Sequence, residues 1–117
     1  MTPAPGTRGP EVRLRLDHDR WLTVCDLGLL VAGRGVAALL PDGRQAAVFR
    51  DRAGRLYGID NRDPFSGAAV LSRGLTGTHE GRPFVASPLL KQRFDLSSGR
   101  CLDDEKVRVA VYEVRSD

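Results

Sequence analysis

Two loop-like stretches decide how this chain is read: Asp60-Asn61-Arg62-Asp63-Pro64-Phe65 and Ala86-Ser87-Pro88-Leu89-Leu90-Lys91-Gln92-Arg93-Phe94-Asp95-Leu96. Ser97-Ser98-Gly99-Arg100-Cys101-Leu102 closes the second. A short hairpin pattern lies between them. Leu75 to Thr78 and Pro83 to Ala86 flank His79-Glu80-Gly81-Arg82, with Glu-Gly as the turn. The loops are built like a clamp, yet they hold almost no side chain that binds metal or does chemistry.

The flanks of this region read as strands. Upstream, the stretches 36–40, 45–50 and 56–59 are β-prone and are separated by Pro41-Asp42-Gly43-Arg44 and Asp51-Arg52-Ala53-Gly54-Arg55. Pro presets φ and Gly accepts positive φ, so both are turns, and the three strands form an antiparallel meander. Trp21-Leu22-Thr23-Val24-Cys25 is a further strand, and residues 27–35 hold a loop or a helical turn. Downstream, residues 93–96 form a short strand, and Val107, Val109, Val111 and Val114 mark a last one. Residues 67–71 suggest a helical turn. No helix of ten or more residues is expected. The predicted fold is all-β: a small antiparallel sandwich or barrel, with residues 60–92 forming an inserted two-loop lobe.

Residues 1–19 are expected to be an N-terminal tail, partly extended, and 20–117 the domain. Met1 to Pro10 is Pro/Gly-rich, whereas Val12, Leu14 and Leu16 alternate with Arg13, Arg15 and Asp17. The 117 residues suit one domain, and 13 Gly with 7 Pro fit a turn-rich β protein. No apolar run of membrane length occurs, and the N-terminus lacks the apolar segment of a secretory signal, so the expected location is cytoplasmic. There Cys25 and Cys101 are expected as unpaired, buried or half-buried thiols.

Function classes fall away in turn. The 18 Lys+Arg are interspersed with 15 Asp+Glu, a pattern of solvated surface rather than a phosphate-binding stripe. The seven aromatic residues Trp21, Phe49, Tyr57, Phe65, Phe84, Phe94 and Tyr112 are spread one per element. Core residues are spread that way, so an oligonucleotide-binding barrel is only an alternative and no nucleic-acid partner is expected. His18 and His79 have no neighbour at ligand spacing, and a site joining Asp63 to His79 would want a third ligand. Ser66 and Ser87 lack a nucleophile-elbow context, neither Cys has a neighbouring His, and no nucleotide-binding glycine pattern occurs. No catalytic, cofactor-binding or metal residue is expected in this chain.

The flanks nevertheless resemble Rieske-type domains, in which two loops clamp a [2Fe–2S] cluster through two Cys and two His. The resemblance rests on Asn61-Arg62-Asp63-Pro64-Phe65, Ser87-Pro88-Leu89-Leu90, Arg93-Phe94-Asp95-Leu96 and Gly99-Arg100-Cys101-Leu102. It places Asp63, Phe65, Ser87 and Leu90 at the four ligand positions, where two hard oxygens and two hydrocarbons are poor ligands for the cluster. Over roughly residues 20–115 the chain is similar to a narrower group, the small subunits of assimilatory NADH-dependent nitrite reductases. Asp63-Pro64-Phe65, Val70-Leu71-Ser72-Arg73-Gly74-Leu75, Val85-Ala86-Ser87-Pro88-Leu89, Lys91-Gln92-Arg93-Phe94 and Cys101-Leu102-Asp103-Asp104-Glu105 carry that likeness.

The resemblance implies an accessory subunit without redox centres. Its large-subunit partner would carry FAD, siroheme and iron–sulfur centres and reduce nitrite to ammonium. A stand-alone, cluster-less scaffold is the alternative. With no cluster to staple the loops, Phe65 and Leu90 are expected to meet and fill the space, while Asp63 and Ser87 bond loop amides. Val70, Leu89, Lys91 and Arg93 are expected to dock the partner, with Phe65 and Leu90 as further candidates for that face.

Overall fold

The computed structural model describes residues 9–117. It contains ten strands: β1 (Glu11–Arg15), β2 (Trp21–Asp26), β3 (Gly35–Leu39), β4 (Gln45–Arg50), β5 (Leu56–Asp60), β6 (Leu75–His79), β7 (Arg82–Ala86), β8 (Arg93–Asp95), β9 (Val111–Tyr112) and β10 (Val114–Ser116). Single 3-10 turns occur at Leu27–Leu29 and Leu71–Arg73. The strands pair antiparallel in three sheets, ordered β10-β1-β2, β3-β4-β5-β9 and β6-β7-β8.

β4 explains the layering. Its centre, Ala46-Ala47-Val48-Phe49, is buried at every position. A strand with one wet face alternates polar and apolar residues; a run without alternation is covered on both faces. Ala46 and Val48 pack with Val12, Leu14, Leu30, Ala38 and Leu40 on one side. Ala47 and Phe49 pack with Ile59, Leu71, Val85, Phe94, Leu96, Cys101 and Val109 on the other. The four-stranded sheet is therefore the middle layer. The lobe carrying β6, β7 and β8 covers one face, and the sheet of β1, β2 and β10 covers the other.

The expected meander is present as β3-β4-β5, with Ala46 opposite Asp60 and Val48 opposite both Val36 and Gly58. The β6–β7 hairpin turns at Glu80 and Gly81, both at positive φ (53° and 78°). That backbone twist suits a two-residue hairpin, and glycine takes the second position without strain.

Three sequence expectations change. The tail expected over 1–19 gives up its extended part to the fold: β1 is the central strand of its sheet, and Val12 and Leu14 are fully buried. Its strand partner β10 lies at the opposite end of the chain, so the pairing has no local signature. The rest of the tail expectation, over residues 1–8, falls outside the described residues. The last strand is not continuous. Val107 and Val109 serve the lobe core and Val114 the other core, so the chain switches layers and splits into β9 against β5 and β10 against β1. The helical turn expected at 67–71 lies instead at Leu71–Arg73, where the fully buried Leu71 anchors it through its N–H to the Asn61 carbonyl (3.0 Å).

Candidate functional site

The first loop leaves β5 at Asn61, which is buried and bonded in three directions. Its Nδ2 donates to Gln45 Oε1 (3.0 Å), its Oδ1 accepts from the Ser72 amide (2.7 Å), and its backbone N–H donates to the Gln45 carbonyl (2.9 Å). Asn61 therefore ties the loop to β4 and to the turn at Leu71–Arg73. The loop closes through the Asp63 N–H on the Ala68 carbonyl (2.8 Å) and the Gly67 N–H on the Asp63 carbonyl (2.7 Å).

The second loop closes on Ser87. The Ser87 N–H donates to the Gln92 carbonyl (2.9 Å), and the Lys91 N–H donates to the Ser87 carbonyl (3.0 Å). Lys91 takes φ 65° to make this bend, an uncommon conformation for a residue with a Cβ.

One hydrogen bond joins the two loops. Ser87 Oγ donates to Asp63 Oδ2 at 2.6 Å, with both side chains buried. Each partner is also held by its own loop: Asp63 Oδ1 accepts from the Phe65 amide (2.9 Å), and Ser87 Oγ accepts from the Leu89 amide (3.3 Å). Ser87 thus uses donor and acceptor together, and both Asp63 oxygens have partners. A second tie is apolar: the Phe65 ring lies 6.3 Å from that of Phe94, tilted by 46°.

The expected amide bonds of Asp63 and Ser87 are present. The expected apolar plug is replaced: Phe65 is 36% exposed and rests on Phe94, and Leu90 is 52% exposed. The buried contact between the loops is the short polar pair, and the two hydrocarbon side chains lie at the surface.

The donor set does not fit a [2Fe–2S] cluster. Phe65 and Leu90 offer no ligand atom, and the oxygens of Asp63 and Ser87 are already committed to each other and to loop amides. Among the described residues no group of three or more His, Cys, Asp or Glu side chains could hold a metal ion. Cys25 is half-buried and Cys101 buried, both unpaired, in the two different cores. Burial, followed by the nearby Asp26 charge, raises the Cys25 thiol above its ordinary pKa.

The residues expected to dock a partner divide. Leu89 (52%) and Lys91 are exposed, while Val70 is half-buried. Arg93 is committed within the chain: its amide and guanidinium bond Asp103 (2.8 and 2.9 Å), and it lies 5.7 Å over the Phe84 ring. Sequence reasoning placed Asp95 in the frame but gave it no role. Its buried carboxylate accepts from Arg82 Nε (2.6 Å), from the Ser97 amide and hydroxyl (2.9 and 2.8 Å) and from the Ser98 amide (2.9 Å). Burial pushes its pKa up, but the Arg82 bond and those from Ser97 and Ser98 outweigh it and hold the carboxyl well below the usual range. It locks the turn that follows the second loop. Arg62, Arg73 and Leu75 are exposed beside these loops and were given no role from the sequence. The available signal was that residues 61–76 and 86–92 contain one acidic side chain, Asp63, and it is buried.

Two loops projecting from a β core and held by the Asn-Arg and Arg-Phe-Asp-Leu flanks are the features of a Rieske-like domain. The Rieske-like [2Fe-2S] domain family matches residues 20–117. The chain is 45% identical over 97 residues to the nitrite reductase (NADH) small subunit of Salmonella typhimurium, covering 82% of this chain and 89% of that protein. A crystal structure described as an NADH-dependent nitrite reductase small subunit from Mycobacterium tuberculosis superposes with a TM-score of 0.81 at 52% identity, covering 85% of this chain and 88% of that one. The nitrite reductase [NAD(P)H] large subunit of Klebsiella oxytoca matches at 42% identity over 95 residues, which are 81% of this chain and 10% of that protein. The chain belongs to the Rieske-like family and, within it, to the group formed by the NADH-dependent nitrite reductase small subunits.

Proposed function

We propose that this chain is the accessory, non-redox small subunit of an assimilatory NADH-dependent nitrite reductase. It binds and supports a catalytic large subunit that reduces nitrite to ammonium. The observation that supports this reading is the buried Asp63–Ser87 bond, which joins the two loops at residues that the resemblance assigns to cluster-ligand positions. A domain whose ligand positions are self-satisfied in this way contributes surface and rigidity rather than electrons. The Klebsiella oxytoca match supports the partnership, because there a domain of this kind is one tenth of a large-subunit polypeptide.

On this reading the chain needs no cofactor of its own. FAD, siroheme and iron–sulfur centres belong to the large subunit. The complex works in the cytoplasm, where NADH is available and Cys25 and Cys101 stay reduced. No helix among the described residues is long and apolar enough to cross a membrane. Nitrite-dependent NADH oxidation by the purified large subunit, with and without this chain, tests the proposal. The expected result is no activity from the chain alone, and a raised or stabilised rate from the mixture. Absence of both binding and effect would leave a free-standing scaffold as the better reading.

A further inference from the structure

Resting on that accessory-subunit reading, we infer that the tip of the two loops is the docking face, and that it fits an apolar hollow edged by carboxylates on the catalytic large subunit. Phe65 and Leu90 are exposed at the tip together with Leu89, and Leu75, 79% exposed, stands opposite Ala86 at the mouth of the second loop. Phe65, Leu89 and Leu90 in the two loops and Leu75 at the start of β6 are four exposed large apolar side chains; gathered on one face they would reach roughly the few hundred Å² that marks interaction sites on monomers.

The charges around them have one sign. Arg62, Arg73 and Lys91 are exposed, and none has a carboxylate within ion-pair distance among the described residues. Elsewhere some cations are neutralised within the chain, as in Arg15–Glu113, Arg20–Asp17 and Arg44–Asp42, while others, such as Arg34, Arg52 and Arg108, also have no ion pair among the described residues. The tip supplies no such counter-charge, so complementarity calls for acidic groups on the partner. A second copy of this chain is a poor occupant, because a two-fold contact through the tip would set one basic rim against another.

The face is also preorganised. The Asp63–Ser87 bond fixes the loops relative to each other, and Lys91 is held at positive φ in a bend that carries Leu89 and Leu90 at the surface. A surface already ordered loses less entropy on binding. Of the residues expected from sequence to dock, Leu89 and Lys91 stay in this face. Arg93, spent on Asp103, yields its place in the rim to Arg62 and Arg73.

The test measures binding of the full chain to the purified large subunit by calorimetry at low and moderate salt. Leu90→Asp is expected to weaken binding at least about tenfold, as loss of a central apolar anchor does. The pair Arg62→Glu with Lys91→Glu is expected to weaken it several-fold, with the larger effect at low salt. Leu29→Asp, at a residue exposed on the 3-10 turn after β2, is expected to bind like the wild type. Melting curves accompany each variant; if Leu90→Asp disturbs the fold, the charge-reversal pair probes the same face. Wild-type binding that all tip variants retain would overturn the docking face and leave the accessory role standing. Failure of the wild-type chain to bind would instead overturn the accessory role. Self-association in sedimentation that Leu90→Asp dissolves would assign the tip to a second copy, and would overturn the inference as well.

Discussion

Ser87→Ala removes one oxygen atom from a buried pair and leaves the backbone geometry of the loop untouched. Asp63 Oδ2 then has no partner, because its other oxygen is taken by the Phe65 amide and its side chain is shut off from water. The Leu89 N–H also loses its acceptor, but that amide is near the surface and water replaces it. A hydrogen bond to a carboxylate contributes ~1.5–3 kcal/mol, and a buried orphaned acceptor carries a penalty of similar size. The expected loss is ~2–3 kcal/mol, or a fall in Tm of roughly 10 °C for a domain near this length. Urea or thermal unfolding measures it. The double variant Asp63→Ala/Ser87→Ala is the sharper arm. It removes the orphaned carboxylate, so it should cost clearly less than the sum of the two single changes, with a coupling of ~1 kcal/mol or more. Additive losses, or a Ser87→Ala loss under about 0.5 kcal/mol, would refute the claim that this bond staples the loops.

The other predictions concern acid and metal. Asp95 has its folded-state pKa depressed, so its contribution to stability is full above the ordinary carboxylate range and is lost as pH falls through that range towards the lower folded value. Wild type and Asp95→Asn should therefore differ by ~1–2 kcal/mol at pH 7, allowing for the exposed Arg82 partner, and should converge as unfolding is repeated from about pH 5 downward. A gap that is constant with pH would show that Asp95 does not act through its charge. Because Asp63, Phe65, Ser87 and Leu90 do not suit a cluster, the purified chain should be colourless and iron-free, and a chelator should leave its Tm unchanged. Visible absorbance with stoichiometric iron would contradict the reading of the donor set.

Much of the fold was legible because its turns are chemical statements. Pro41-Asp42-Gly43-Arg44 and Glu80-Gly81 place their hairpins without help from the rest of the chain, and β3, β4, β5, β6 and β7 follow from them. The candidate site was legible through the resemblance, since Asn61, Arg93, Phe94 and Asp95 match its frame while the two loops between them hold no Cys or His. What each substituted side chain does was less legible. Hydrophobicity suggested that Phe65 and Leu90 would be buried between the loops, but the buried residues there are the short, fully paired Asp63 and Ser87. Neither residue type reports burial from sequence, because a polar side chain is buried only when a partner 24 positions away happens to face it.

The sequence by itself determined the strand-and-turn order, the all-β class and the absence of Cys and His from the two loops, because these depend on residue type and local spacing. Only the tertiary structure decided that β1 closes on β10, that β4 is a middle layer, that Arg93 is spent on Asp103, and that Asp63 meets Ser87. Each of these brings together residues distant along the chain, or sets the burial of a polar group by what faces it across a core, and no local pattern records either.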